Sequence, residues 1–194
     1  MNNTEESIIQ KAIAVLTDGG IVIFPTDTAF GVGCRIDKRD AIDKLFMIRQ
    51  RPKDQALPVL VKSKQQALTY YQHPSDIVRR LMDVHWPGAL TIVDLCNTDA
   101  IYSPILGGGK TIGMRWPKHQ LLQRILDGVG VPVVGPSANI HGSATPYTFN
   151  DLDPEFVLRV DFVVPGVCSV GQISTIVDCS VDPYRIIRQG AVRI

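Results

Sequence analysis

Apolar residues recur through the first stretch of the chain at helical spacing. Ile8, Ile9, Ala12, Ile13 and Leu16 share one face, behind an acidic start at Glu5 and Glu6 and ahead of a stop at Asp18-Gly19-Gly20. The pattern predicts a helix over Thr4 to Leu16 with Thr4 as its N-cap. Ile21-Val22-Ile23-Phe24 is too short and too β-branched to extend that helix, and Pro25 closes it, so it reads as a buried strand whose end carries Thr26, Asp27 and Thr28. The alternation continues with a helix from about Lys38 to Ile48, a strand around Leu57 to Val61, helical segments near Lys64 to Tyr70 and Ser75 to His85, and a break at Trp86-Pro87-Gly88. Beyond the break the pattern predicts strands at Ala89 to Val93 and Thr111 to Met114, then a helix at Gln120 to Asp127. Four more strands follow, at Val131 to Val134, Phe162 to Val164, Ser174 to Val177 and Arg185 to Ile187.

Short β-branched runs alternating with amphipathic helices predict an α/β fold, a twisted mixed β-sheet flanked by helices. At 194 residues and 45% apolar composition the chain can bury a core as one domain over 1–194, and no repeat, low-complexity tract or linker divides it. Ligands of such folds sit beyond strand ends. Polar clusters fall there in this chain: Thr26-Asp27-Thr28, Arg49-Gln50-Arg51-Pro52, Lys110-Thr111-Ile112-Gly113-Met114-Arg115 and Gly135-Pro136-Ser137-Ala138-Asn139. Their convergence predicts an anion-binding cleft.

Composition narrows the classes. A formal net charge of +1 gives no long-range pull toward nucleic acid or an anionic membrane, so any positive field must come from local clustering. Cys34, Cys96, Cys168 and Cys179 form no Cys-x-x-Cys pair, and His73, His85, His119 and His141 show no ligand spacing, so no protein metal site is expected. The N-terminus lacks the basic start and apolar stretch of a secretory signal, and no apolar run is long enough to span a bilayer. A reduced, cytoplasmic setting without membrane contact is the expectation.

Each chemical motif has a plain structural reading beside it. Gly107-Gly108-Gly109-Lys110-Thr111 suggests a phosphate loop, but the first glycine of that pattern would fall at Pro104 and a strand follows where a helix should open, so the glycines read as a flexible loop. Arg49, Arg51 and Lys53 after a helix are either a solvated cluster favoured by the helix dipole or a triphosphate clamp of guanidinium forks. Arg115 lies in a strand expected to be largely buried. It needs an anion there, either Asp27 or Asp178 as an internal ion pair, or a substrate carboxylate. Thr26, Thr28, Ser137, Asn139, Ser174 and Thr175 add uncharged donors and acceptors at strand ends, each able to cap a turn. No nucleophile with a neighbouring base is visible, so the site is expected to work by positioning and charge neutralisation.

Six ordered blocks carry a resemblance over about Ile8 to the C-terminus: Pro25-Thr26-Asp27-Thr28-Ala29-Phe30-Gly31-Val32-Gly33, Arg49-Gln50-Arg51-Pro52, Trp86-Pro87-Gly88-Ala89-Leu90-Thr91, Pro136-Ser137-Ala138-Asn139, Ser174-Thr175-Ile176-Val177-Asp178 and Ile187-Arg188-Gln189-Gly190-Ala191. The chain resembles the YrdC/YciO-like family, specifically its threonylcarbamoyl-AMP synthases in their single-domain form. The resemblance implies a concave, positively charged cleft that joins L-threonine, bicarbonate and ATP into L-threonylcarbamoyl-AMP and pyrophosphate, with Mg²⁺ accompanying ATP. The product would serve N6-threonylcarbamoylation of tRNA, which implies transferase machinery as acceptor and tRNA or double-stranded RNA as a further partner. Motif matching puts Arg49, Arg51, Ser137 and Asn139 in catalysis, and Thr28, Arg115, Gly135 and Ser174 on threonine. It puts Arg51, Gln55, Thr111, Ser137, Asn139, Thr145 and Arg188 on the nucleotide. The chain departs from the family pattern at Arg49 (usually lysine), Phe30 (usually tyrosine) and Ala56 (usually proline). Those departures lean toward a YciO-like nucleotide-binding or RNA-binding relative without robust synthase activity, and an RNA-binding module holding structured RNA in the basic cleft is the reading from another class.

Overall fold

The computed structural model describes residues 3–194. Helix α1 (Asn3–Thr17) runs into β1 (Val22–Phe24), and β2 (Gly31–Gly33) turns back beside it before α2 (Arg39–Arg49). Next come β3 (Val59–Leu60), α3 (Lys64–Leu68), α4 (Asp76–His85), β4 (Leu90–Leu95), β5 (Thr111–Arg115) and α5 (Gln120–Val129). The chain closes with β6 (Val133–Val134), α6 (Pro154–Val157), β7 (Phe162–Val163), β8 (Thr175–Asp178) and β9 (Arg185–Arg188). Every predicted element is present with ends shifted by a few residues. Two details differ at α1 and α2: Thr4 lies inside α1, which already includes Asn3, and Arg49 is the last residue of α2 and not the residue beyond it.

The strands divide between two sheets where one was expected. Six form a mixed sheet in the order β6-β3-β5-β4-β8-β9, and three form a smaller one in the order β2-β1-β7. The reason lies in β1, whose two faces are both covered. Val22 and Phe24 pack with Ile9, Ala12 and Leu16 of α1 and with Leu122, Ile125 and Leu126 of α5, whereas Ile23 joins the main apolar cluster with Ile42, Leu45 and Phe46 of α2. A strand buried on both faces shows no polar alternation, which explains the unbroken run Ile21-Val22-Ile23-Phe24.

Strand β2 was not predicted, because Gly31-Val32-Gly33 has the composition that strands avoid. Its glycines are there for closeness. A Cβ on Gly33 would lie 1.8 Å from the Val134 carbonyl oxygen, so only glycine lets β2 lie against β6. Across that approach Val32 N–H donates to Pro136 O, Val134 N–H to Cys34 O and Ala138 N–H to Phe30 O, each at 2.9 Å, and these bonds stitch the two sheets together.

Side chains of the large sheet alternate as the pleat requires. Leu90 and Ile92 of β4, Ile112 and Met114 of β5 and Val177 of β8 enter the main cluster. Thr91, Val93, Thr111, Gly113, Arg115 and Ile176 point to the opposite face, where they line a cavity. Among the described residues no helix is long and apolar enough to cross a membrane.

Candidate functional site

The cavity has a volume of about 410 Å³. Its floor is a row running across the large sheet. Leu60 pairs with Arg115, Thr91 precedes the Ile92–Met114 pair, Thr91 pairs with Ile176, and Ile176 pairs with Arg188. Its walls come from three places: the β1–β2 loop with Thr26, Thr28 and Phe30; the α2 terminus with Arg49 and Arg51; and the chain after β6 with Gly135, Pro136, Ser137 and Thr145. The cleft therefore sits on a sheet face, closed by strand ends of the other sheet, and not simply beyond the ends of one sheet. Among the described residues, four arginines line it and no carboxylate does.

Arg49 reaches the wall because α2 ends there. Gln50 adopts the left-handed conformation at φ 51°, and the Arg51 N–H bonds back to Phe46 O, which turns the chain sharply after Arg49. The Arg49 side chain is buried, so the solvated-cluster reading does not hold for it. Its Nε donates to the Asn139 carbonyl at 3.1 Å, and Nη2 donates to Asn139 Oδ1 at 3.1 Å and to Ser137 Oγ at 3.5 Å. Its Nη1 is buried and has no partner among the described residues. Burial, and then the nearby Arg51, pull this guanidinium down to about 10, still charged at neutral pH. Arg51 donates to the Gln55 and Ala56 carbonyls and to His141 Nδ1. Lys53 belongs elsewhere, since it pairs with Asp43 at the surface.

Arg115 resolves to one internal partner, Asp27, while Asp178 pairs with Arg185 at 2.9 Å. Its Nη2 donates to Asp27 Oδ1, its Nη1 to Thr28 Oγ1 at 2.8 Å and its Nε to the Gly88 carbonyl at 3.0 Å. Three of its five N–H bonds are thereby engaged, and among the described residues the other two have no partner, on a side chain that lines the cavity. Across the floor, Arg188 donates from Nε and Nη2 to the Ser174 carbonyl and from Nη2 to Ser174 Oγ at 3.1 Å. Ser174 Oγ lies 3.0 Å from Thr91 Oγ1. Burial, followed by repulsion from Arg115, lowers the Arg188 guanidinium.

The cavity brings together every site residue predicted from sequence except Asn139 and Gln55. Asn139 stands behind Arg49: its Oδ1 also accepts from Ser137 Oγ at 2.7 Å, and its Nδ2 donates to the Ser143 carbonyl at 2.7 Å. Gln55 contributes its carbonyl to Arg51. Sequence reasoning missed Thr91, Val93, Gly113 and Ile176 as floor residues. The signal was available in the two-residue period: once Arg115 faces a ligand, Gly113 and Thr111 share its face, and so do their cross-strand partners. Among the described residues, no group of three or more His, Cys, Asp or Glu side chains could hold a metal ion.

Comparison with known proteins follows the same outline. The Sua5/YciO/YrdC family model, described as telomere recombination, matches residues 14–190. The chain is 30% identical over 194 residues to the threonylcarbamoyl-AMP synthase of Bacillus subtilis, covering 98% of this chain and 55% of that protein. It is 27% identical to the uncharacterized protein YciO of Escherichia coli K12, covering 97% of this chain and 92% of that one. Among solved structures, Pyrococcus abyssi Sua5 complexed with L-threonine superposes with a TM-score of 0.90 at 27% identity, over 96% of this chain and 54% of that one. The E. coli YciO crystal structure superposes with a TM-score of 0.82 at 26% identity, over 97% of this chain and 91% of that one. The chain thus spans about half the length of the Bacillus and Pyrococcus proteins and nearly all of YciO. With a match that runs from α1 through both sheets and the cavity to Gly190, the chain belongs to the Sua5/YciO/YrdC family.

Proposed function

We propose that this protein is an L-threonylcarbamoyladenylate synthase, joining L-threonine, bicarbonate and ATP to give L-threonylcarbamoyl-AMP and pyrophosphate for tRNA N6-threonylcarbamoylation. The observation that carries the reading is the cavity lined by Arg49, Arg51, Arg115 and Arg188 with no carboxylate among its described lining residues. A concave site walled by guanidinium groups suits a polyanion, because their forks match phosphate oxygens. The threonylcarbamoyl-AMP synthase of B. subtilis and the threonine-bound Sua5 of P. abyssi, both similar along nearly the whole chain, support the choice of reaction.

In this reading threonine's amine condenses with bicarbonate, losing water, to a carbamate whose oxygen attacks the α-phosphorus of ATP and displaces pyrophosphate. Arg49 and Arg51, with Ser137, Thr111, Thr145 and Arg188, hold the triphosphate and adenylate, and Asn139 orients Arg49. Thr28, Ser174, Gly135 and the free N–H bonds of Arg115 hold threonine, its carboxylate on Arg115. No wall residue is a nucleophile with a base beside it, so the rate comes from holding three reactants in line and neutralising their charge. Positioning of this kind can supply roughly 7–11 kcal/mol of barrier reduction. Mg²⁺ enters with ATP as the counter-ion of its phosphates. The product passes to tRNA-modifying machinery in the cytoplasm.

Pyrophosphate release from ATP, measured with threonine and bicarbonate each omitted in turn, tests the proposal. The expected outcome is turnover only with all three present. Release that is indifferent to threonine, or ATP binding with no release at all, would leave a nucleotide-binding relative and end the synthase reading.

A further inference from the structure

The four cavity arginines differ in what holds them. Arg49 is held by Ser137 and Asn139, Arg51 by two carbonyls and His141 Nδ1, and Arg188 by the carbonyl and hydroxyl of Ser174. Among the described residues, Arg115 is the one member of the four in an ion pair, and its partner Asp27 is buried behind the cavity wall. The charge of Arg115 is therefore offset by Asp27, while Arg49, Arg51 and Arg188 carry no such counter-charge. A ligand with both an ammonium and a carboxylate group suits the first environment, and a polyphosphate suits the second.

We propose that Asp27 is a specificity-determining residue: by cancelling the charge of Arg115 from behind the wall, it reserves that corner for an amino-acid zwitterion and directs the polyanion to Arg49, Arg51 and Arg188. The inference rests on the synthase reading for the identity of the two ligands, but the sorting follows from charge alone. Without Asp27 the cavity would present four uncompensated guanidinium groups, and pyrophosphate could settle at the threonine corner and block it. The main chain of Asp27 serves another purpose, since its carbonyl accepts the Val170 N–H at 2.8 Å and anchors the loop that leads to Ile173 and Ser174. Asp27→Asn leaves that bond in place, keeps an acceptor for Arg115 Nη2 and removes only the charge.

Calorimetric titration of the wild type and of Asp27→Asn with pyrophosphate and with L-threonine, singly and in competition, is the test. The wild type is expected to bind one pyrophosphate, displaced by ATP and not by threonine. Asp27→Asn is expected to bind a second pyrophosphate that competes with threonine, its affinity at that corner raised by about tenfold or more, as a unit charge at this distance in a protein cleft produces. A variant that merely loosens the fold would lose affinity and gain none. Asp27→Asn with no second pyrophosphate overturns the proposal. So does a wild type in which pyrophosphate displaces threonine, a result that needs no variant to fold. If the wild type binds no threonine, the synthase reading falls, while the presence or absence of the second pyrophosphate on Asp27→Asn still decides the role of Asp27.

Discussion

A single hydroxyl ties the end of the chain to the sheet. Thr175, fully buried at the start of β8, accepts the Gly190 N–H at 2.9 Å and the Val192 N–H at 3.1 Å through Oγ1, and donates to the Val192 carbonyl at 2.6 Å. Thr175→Val keeps the shape and strands the Gly190 and Val192 N–H groups, the Val192 carbonyl keeping its bond from Gln189 Nε2 at 2.7 Å, so we expect a loss of about 1–3 kcal/mol in denaturant unfolding, since each buried unsatisfied group costs about 1–3 kcal/mol and water will recover part. A loss under about 0.5 kcal/mol, the scale of an ordinary surface change, would show that the C-terminal segment is held by other means. The sequence marked Thr175 as a polar group at a strand end, without indicating whether it served a ligand or the chain itself. Ser174 beside it faces the cavity and Thr175 faces away, a difference set by the pleat. Arg49 taught the opposite lesson: Gln50, Arg51 and Lys53 after it look solvated, yet the turn at Gln50 folds it inward against Ser137 and Asn139.

Among the elements, β2 is where local reading failed and tertiary packing decided. Glycine disfavours strands, but here the absence of a side chain is what allows β2 to meet β6 and the two sheets to join. Gly33→Ala would push its Cβ into the Val134 carbonyl, and backbone on both sides must move. We expect it to destabilise by more than about 3 kcal/mol, with loss of threonine binding because the β1–β2 loop carries Thr28. Gly109→Ala is the control, its added carbon meeting only Leu106 O at 3.3 Å, and its melting temperature should fall far less. Equal effects from the two would mean that the sheet junction has slack. Helices α1 to α5, by contrast, were legible to within a few residues, while the single turn of α6 was not predicted. Their apolar spacing and their stop signals, Gly19-Gly20 after α1 and Gly130 after α5, are local facts that no distant partner alters.

At the scale of the whole molecule the acid side of the stability curve has an identifiable contributor. Burial alone would raise the Asp178 carboxyl, but the hydrogen bonds from Ser180 and Arg185 outweigh it and hold Asp178 below the usual carboxylate range. A depressed folded pKa means that the unfolded chain takes up the proton first. This stabilisation is therefore complete above the unfolded value of about 4 and is lost as pH falls through the lower folded one. Melting temperature should fall on acidification across that window, and Asp178→Asn should be less stable at neutral pH with a flatter acid limb. An unchanged acid limb would assign the effect to other carboxylates.

What the sequence determined by itself was the succession of helices and strands apart from β2 and α6, and the placing of Arg49, Arg51, Arg115, Thr28, Ser137 and Ser174 at the ends of those elements, while Arg188 and Thr145 entered through the family resemblance. The succession is a consequence of local spacing, because a residue's face is fixed by its phase in a helix or strand. Only the tertiary structure decided that the strands form two sheets, that Arg49 is buried, and that Arg115 takes Asp27 and not Asp178. Asp27 lies 88 residues from Arg115. Partner choice over such a separation depends on which strands become neighbours, and that is settled by the packing of the whole core, with β1 covered on both faces and glycines drawing β2 against β6.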